Sequence, residues 1–166
     1  ADAAGTLKGN HDLLSITRPE VLRSVHDGFL EAGADIIETN TFSATSVAQA
    51  EYGLSDAVDE INRAAAKVAR EAADAWTLRT PDKPRFVAGS IGPTSKTLSL
   101  SERVDQPSFR SITFDQLRDA YEAQVRALVE GGWTCCSSRR SSTRSTPRPP
   151  SWPSSAPART SGGGRR

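Results

Sequence analysis

Apolar residues recur at helical spacing in several stretches of the chain, and two short runs rich in β-branched residues lie between them. From Arg18 to Ala32, Leu22, Val25, Phe29 and Ala32 follow one another at steps of three or four, the stripe of an amphipathic helix. Thr17 and Glu20 have capping-box spacing at its start, Pro19 suits the first turn, and Gly33 stands where a helix stops. Ala34 to Phe42 then reads as a strand ending in polar residues. Ser46 to Tyr52 predicts a short helix closed by Gly53. Val58, Ile61, Ala65, Val68 and Ala72 place a long helix over Asp56 to Trp76. After a turn at Thr80–Pro84, Arg85 to Ile91 predicts a second strand, stopped at Gly92-Pro93-Thr94. A polar loop follows. Thr113 and Gln116 repeat the capping-box pattern ahead of a helix with Leu117, Tyr121, Val125 and Leu128 on its inner face, ending at Gly131-Gly132.

Strands alternating with helices of this length imply an α/β fold with a parallel sheet built from βαβ units. Parallel strands need cover on both faces and right-handed crossovers. Two strands with flanking helices cannot close such a structure, so residues 1–132 read as an incomplete parallel α/β unit. Unpaired edges and exposed helix faces would favour aggregation over a cooperative domain. Beyond Gly132 the pattern ends. Residues 133–166 are dominated by Ser, Arg, Pro, Thr and Gly, with almost no aliphatic side chains. Such a segment buries too little surface to offset its ordering entropy, and a disordered tail is expected.

The formal charge of +1 hides a break at the same place: residues 1–132 hold 14 Lys+Arg against 20 Asp+Glu, a net −6, and the tail holds seven Arg and no acid. An acidic body argues against phosphate-backbone binding, which needs clustered cations, so no nucleic-acid partner is expected unless the basic tail supplies one. No run of about 18 apolar residues suggests a membrane span, and no basic-then-apolar leader opens the sequence. A cytoplasmic protein is the resulting expectation. The only two cysteines, Cys135 and Cys136, are adjacent and form no disulfide framework. The chain has no Met, as expected of a start internal to a longer reading frame.

Glu38-Thr39-Asn40-Thr41-Phe42 gathers hydroxyl and amide groups at the C-terminal end of the first strand, and Gly92-Pro93-Thr94 ends the second at the same rim. Ligands of parallel α/β folds bind at that rim. Such groups suit a zwitterion, whose carboxylate needs donors and whose ammonium needs acceptors. Both segments are equally what ordinary strand-end turns look like, and spacing does not separate the two readings.

Several long words resemble the N-terminal homocysteine-binding domain of cobalamin-dependent methionine synthase. They are Gly9–Leu14, Thr17–Glu20, Glu31–Phe42, Asn62–Ala65, Ala72–Trp76, Phe86–Thr94 and Phe109–Asp115, collinear over about residues 7–132. The resemblance implies a partial (β/α)8 TIM barrel with homocysteine at the C-terminal rim, its thiol ionised on zinc. It also implies a methyl group delivered from methylcobalamin, which methyltetrahydrofolate recharges. Folate and cobalamin domains of the same longer chain would be its partners. By resemblance, Thr39 is the rim threonine that contacts the amino acid, Asn40 and Thr41 are its neighbours in the same substrate-binding loop, and Gly92, Pro93 and Thr94 form the next rim loop. The family's first strand would precede residue 1, and its zinc cysteines would follow residue 166. Cys135 and Cys136 are therefore not expected to bind metal, no cofactor is expected on this piece, and the piece alone is expected to be inactive. A homocysteine methyltransferase using betaine or S-methylmethionine is the alternative enzyme reading.

The tail also reads as out-of-frame translation. Trp133 to Pro153 can be written with GC-rich codons that, shifted by one nucleotide, encode Val-Asp-Leu-Leu-Leu-Val-Glu-Thr-Ile-Phe-Asp-Thr-Leu-Asn-Ala-Lys. That is a buried strand running into a helix, and its glutamate falls over Arg139.

Overall fold

The computed structural model describes residues 7–99, 101 and 103–138. From residue 139 onward, the expected disordered tail lies outside the described residues. The elements run α1 (Leu14–Thr17), α2 (Pro19–Glu31), β1 (Ile36–Glu38), α3 (Ser46–Gln49), α4 (Val58–Arg79), β2 (Phe86–Ile91), α5 (Phe114–Glu130) and β3 (Cys135–Ser138). Single 3-10 turns at Ala50–Tyr52 and Ser55–Ala57 join α3 to α4. The strands form one parallel sheet in the order β1-β2-β3, with Ile37 opposite Val87 and Ala88 opposite Cys135. This is the α/β arrangement expected, with one strand more than the two that the hydrophobic pattern predicts.

The third strand forms where composition alone suggested a loose tail. Gly132 takes φ of +92°, open to glycine at little cost, and redirects the chain after α5. Trp133 then packs against the core, directly over Gly89, where an added Cβ would stand 2.2 Å from the indole. Thr134 N–H donates to the Val87 carbonyl at 2.8 Å, opening the ladder that β3 continues. Ladder bonds are main-chain bonds, so a polar stretch can still fill the open edge of β2.

The core lies between the sheet and α2 and α4. Leu30, Ile37, Ala69, Ala72, Ala73 and Val87 are buried together, with Trp76 against them. The alanines of α4 let that helix approach the sheet closely. Ile37 and Val87 face the helices, so their neighbours Ile36 and Phe86 face the other way, 54% and 41% exposed. Glu38, Ala88 and Ser90 share this second face nearer the strand ends.

Most helix ends fall within a few residues of their predicted positions. Thr113 forms the complete capping box with Gln116 that the spacing predicts. Gly53 closes the turn after α3 with φ of +70°. The box expected at Thr17 and Glu20 does not form: Thr17 Oγ1 donates back to the Leu13 carbonyl in the unpredicted α1, and Arg18 is the N-cap. The inner face of α2 is also rotated from the predicted stripe. Leu22, His26 and Leu30 are buried, whereas Val25 and Phe29 are 49% and 63% exposed in a row with Val21.

Candidate binding site at the strand ends

Two loops meet at the C-terminal ends of β1 and β2, and their contacts begin with the threonines. Thr39 N–H still donates to the Ala88 carbonyl at 2.9 Å, but β1 ends here because the side chains take over the pairing. Thr39 Oγ1 accepts from Ser90 N–H at 3.0 Å and shares a 2.7 Å hydrogen bond with Thr41 Oγ1, while Thr41 Oγ1 donates to the Ser90 carbonyl at 2.8 Å. Both hydroxyls are buried and engaged. The strand predicted to reach Phe42 is therefore three residues long, with a side-chain ladder beyond it.

Gly92 fastens the second loop to the first. Its N–H donates to the Phe42 carbonyl at 3.0 Å, and a Cβ there would lie 2.4 Å from that oxygen, so only glycine allows the approach. Tyr121 Oη on α5 donates to the Gly92 carbonyl at 3.0 Å, and burial pushes its phenol above its ordinary pKa. Pro93 is exposed and Thr94 half-buried, its hydroxyl donating to the Lys96 carbonyl. Asn40 is half-buried and donates to the His11 carbonyl at 2.7 Å, tying the N-terminal loop to the rim. All six residues expected at the rim thus lie on two touching loops. Asn40 and the main chain are better placed than the threonine hydroxyls to meet a ligand.

Buried side-chain amides hold the first loop from behind. Gln124 of α5 donates to the Thr41 carbonyl at 2.8 Å, Asn62 of α4 to the Ala44 carbonyl at 2.7 Å, and Gln49 of α3 to the Ser43 carbonyl at 3.2 Å. Gln49 also contacts Asn10 and donates to Asp12 Oδ2 at 3.3 Å. Asp12 is buried, and desolvation raises its carboxyl to about 6, opposed by a hydrogen bond from the Ser43 N–H and by nearby His11. None of these residues stood out in the sequence. The available signal was a polar amide on a helix face that otherwise buries apolar side chains.

The second face of the sheet adds a carboxylate, Glu38, to which Ser90 Oγ donates at 3.4 Å. The rim thus brings together main-chain groups, a side-chain amide and an acid, the types of group that bind a zwitterionic amino acid. Among the described residues, no three His, Cys, Asp or Glu side chains come together as a metal site requires. They do not supply a zinc ligand set. A separate open cavity of about 520 Å³ between α3 and α5, lined by Val47, Lys96, Gln116 and Asp119 among others, shares no residue with the rim. Among the described residues, no helix is long and apolar enough to cross a membrane.

The chain matches the family model of homocysteine S-methyltransferase over residues 1–136. Its fold is similar to that of the homocysteine methyltransferase MmuM from Escherichia coli. The metallated form of that enzyme superposes with a TM-score of 0.61 at 24% identity, covering 83% of this chain and 46% of MmuM. The oxidized form gives 0.60 at 24% identity over 82% and 45%. The chain therefore spans less than half of the enzyme it resembles.

Proposed function

The chain belongs to the homocysteine S-methyltransferase family, and from that premise we propose that its rim holds the amino-acid end of homocysteine in a methyltransferase of the cobalamin-dependent methionine synthase type. The observation that carries the reading is the meeting of the 39–45 and 92–94 loops at the strand ends, where the Gly92 N–H is fastened to the Phe42 carbonyl and the Ser90 N–H to Thr39 Oγ1, the rim at which parallel α/β folds bind ligands. In the reaction, the homocysteine thiol loses its proton, its sulfur forms the S–CH3 bond, and the bond from the methyl group to its donor breaks. The described residues contribute recognition and orientation to that event. Thr39, Asn40, Thr41, Gly92, Pro93 and Thr94 form the wall of the site.

Methylcobalamin, recharged by methyltetrahydrofolate on further domains, is the donor favoured by the resemblance of the long words to methionine synthases. The proposal includes a cytoplasmic location. Because the described residues lack a zinc ligand set, the chain alone is proposed to be inactive. The tail beyond the rim is proposed to be out-of-frame, a reading supported by the charge break at Gly132. Sequencing the encoding DNA across that codon decides the matter. An uninterrupted frame, with no coding sense in its neighbour, removes this part of the proposal.

The test of function is calorimetric titration of the full chain with L-homocysteine, followed by methyl-transfer assays with methylcobalamin, betaine and S-methylmethionine. Saturable homocysteine binding without turnover is the expected result. No binding refutes the site, and turnover with stoichiometric zinc refutes the claim of inactivity.

A further inference from the structure

We propose that Gln124 is a positioning residue that fixes the Thr41–Phe42 peptide so that the Phe42 N–H meets the carboxylate of an amino-acid ligand. The inference rests on the homocysteine reading above and adds a residue remote from the rim in sequence. Gln124 is fully buried on α5, and its Nε2 donates to the Thr41 carbonyl at 2.8 Å across 83 residues of chain. The same carbonyl accepts from the Ala44 N–H at 3.1 Å, so two donors hold it toward the helix layer. A trans peptide is planar, with its N–H pointing opposite its C=O. The Phe42 N–H is therefore turned away from α5, and among the described residues nothing accepts its hydrogen bond. An oriented, unpaired N–H on an exposed rim residue is a ready donor to an anion.

The side chain's own balance points the same way. Gln124 Oε1 is buried without a hydrogen-bond partner, so half of this amide is desolvated without compensation. A leucine would fill the space without leaving that oxygen unpaired. What the amide adds is the donor on Thr41. Asn62 repeats the device: Nδ2 grips the Ala44 carbonyl while Oδ1 is buried and unpartnered.

The test titrates the full chain with L-homocysteine and with 3-aminopropane-1-thiol, which keeps the thiol and ammonium but lacks the carboxylate. Affinities come from calorimetry and the Phe42 amide from 15N NMR. Gln124→Leu should weaken homocysteine by about tenfold, the worth of one well-placed hydrogen bond, and leave the aminothiol nearly unchanged. In the wild-type chain homocysteine should shift the Phe42 amide, and the aminothiol should not. Equal losses for both ligands, or no loss for homocysteine, overturn the proposal. Should Gln124→Leu fail to fold, Gln124→Glu serves: ionised it cannot donate, so homocysteine affinity should return on acidification as the carboxyl regains its proton. A Gln124→Glu chain whose weakened affinity does not recover on acidification overturns it equally. A wild-type chain that binds neither ligand sinks the functional reading, and amide exchange in the free chain then judges Gln124 alone. Its replacement should speed exchange of the Ala44 N–H by about tenfold without changing that of Thr39. Unchanged Ala44 exchange overturns the positioning role.

Discussion

Asp12 offers the sharpest test of how the N-terminal loop is latched to the rim. Its carboxyl is only 6% exposed, accepts from Gln49 Nε2 at 3.3 Å and from the Ser43 N–H, and is raised from 3.8 to about 6 by desolvation. A folded-state pKa above the unfolded value means that the native chain binds the extra proton between them. Stability from this group is complete below pH 3.8 and is lost as the pH rises through about 6. Solvent screening on the open side of the carboxyl reduces the free energy that corresponds to this rise to about 2 kcal/mol. Asp12→Asn removes the titration. It also turns a donor toward a donor at Ser43 or Gln49, a loss of about 1–3 kcal/mol that does not vary with pH. The two proteins should therefore differ in slope as well as in offset. Urea denaturation at intervals from pH 4 to pH 8 should show wild type losing about 2 kcal/mol relative to Asp12→Asn, with most of the change below about pH 7. A wild-type minus variant difference that is flat across this range would refute a desolvated Asp12.

Other perturbations address the remaining contacts. Gly92→Ala forces a Cβ against the Phe42 carbonyl at 2.4 Å and should lower stability by about 1–3 kcal/mol in urea titrations, with loss of homocysteine binding. Thr113→Ala removes the side-chain cap from α5 and should lower stability by about 1 kcal/mol, visible in the denaturation midpoint. Phe29→Ser, on the 63% exposed outer row of α2, should change stability by less than about 0.5 kcal/mol while reducing self-association in sedimentation experiments.

The parts of this fold legible in the sequence are those whose signal is local. α5 is bounded by a cap at Thr113 that needs only its third neighbour, Gln116. The Gly53 stop is likewise a local requirement for positive φ. The rim was legible as well, because Glu38–Phe42 and Gly92–Thr94 end consecutive parallel strands. The phase of α2 was less accessible. Val21, Val25 and Phe29 form as regular an apolar row as Leu22, His26 and Leu30, and only docking against α4 decides which row is buried. An apolar row marks a helix surface that could be covered, not one that is.

The supports of the rim were illegible for a different reason. Asn62 and Gln124 occupy helix positions where periodicity calls for apolar side chains, and their partners lie 18 and 83 residues away. Their polarity looks like a defect until the Ala44 and Thr41 carbonyls are placed beside them. A loop that bends away from its strand leaves main-chain carbonyls facing a helix layer without water, and each needs a donor. A short-range helix or turn cannot supply it, so the neighbouring helices do. Trp133 makes the complementary point. Composition assigned it to a Ser- and Arg-rich tail, yet Gly89 leaves a bare backbone that a flat indole can cover, and the next ladder bond, Thr134 to Val87, starts β3 immediately afterwards. An amide on an apolar helix face and a glycine in a buried strand therefore carry the same kind of information: each records a close approach by a segment distant in the chain.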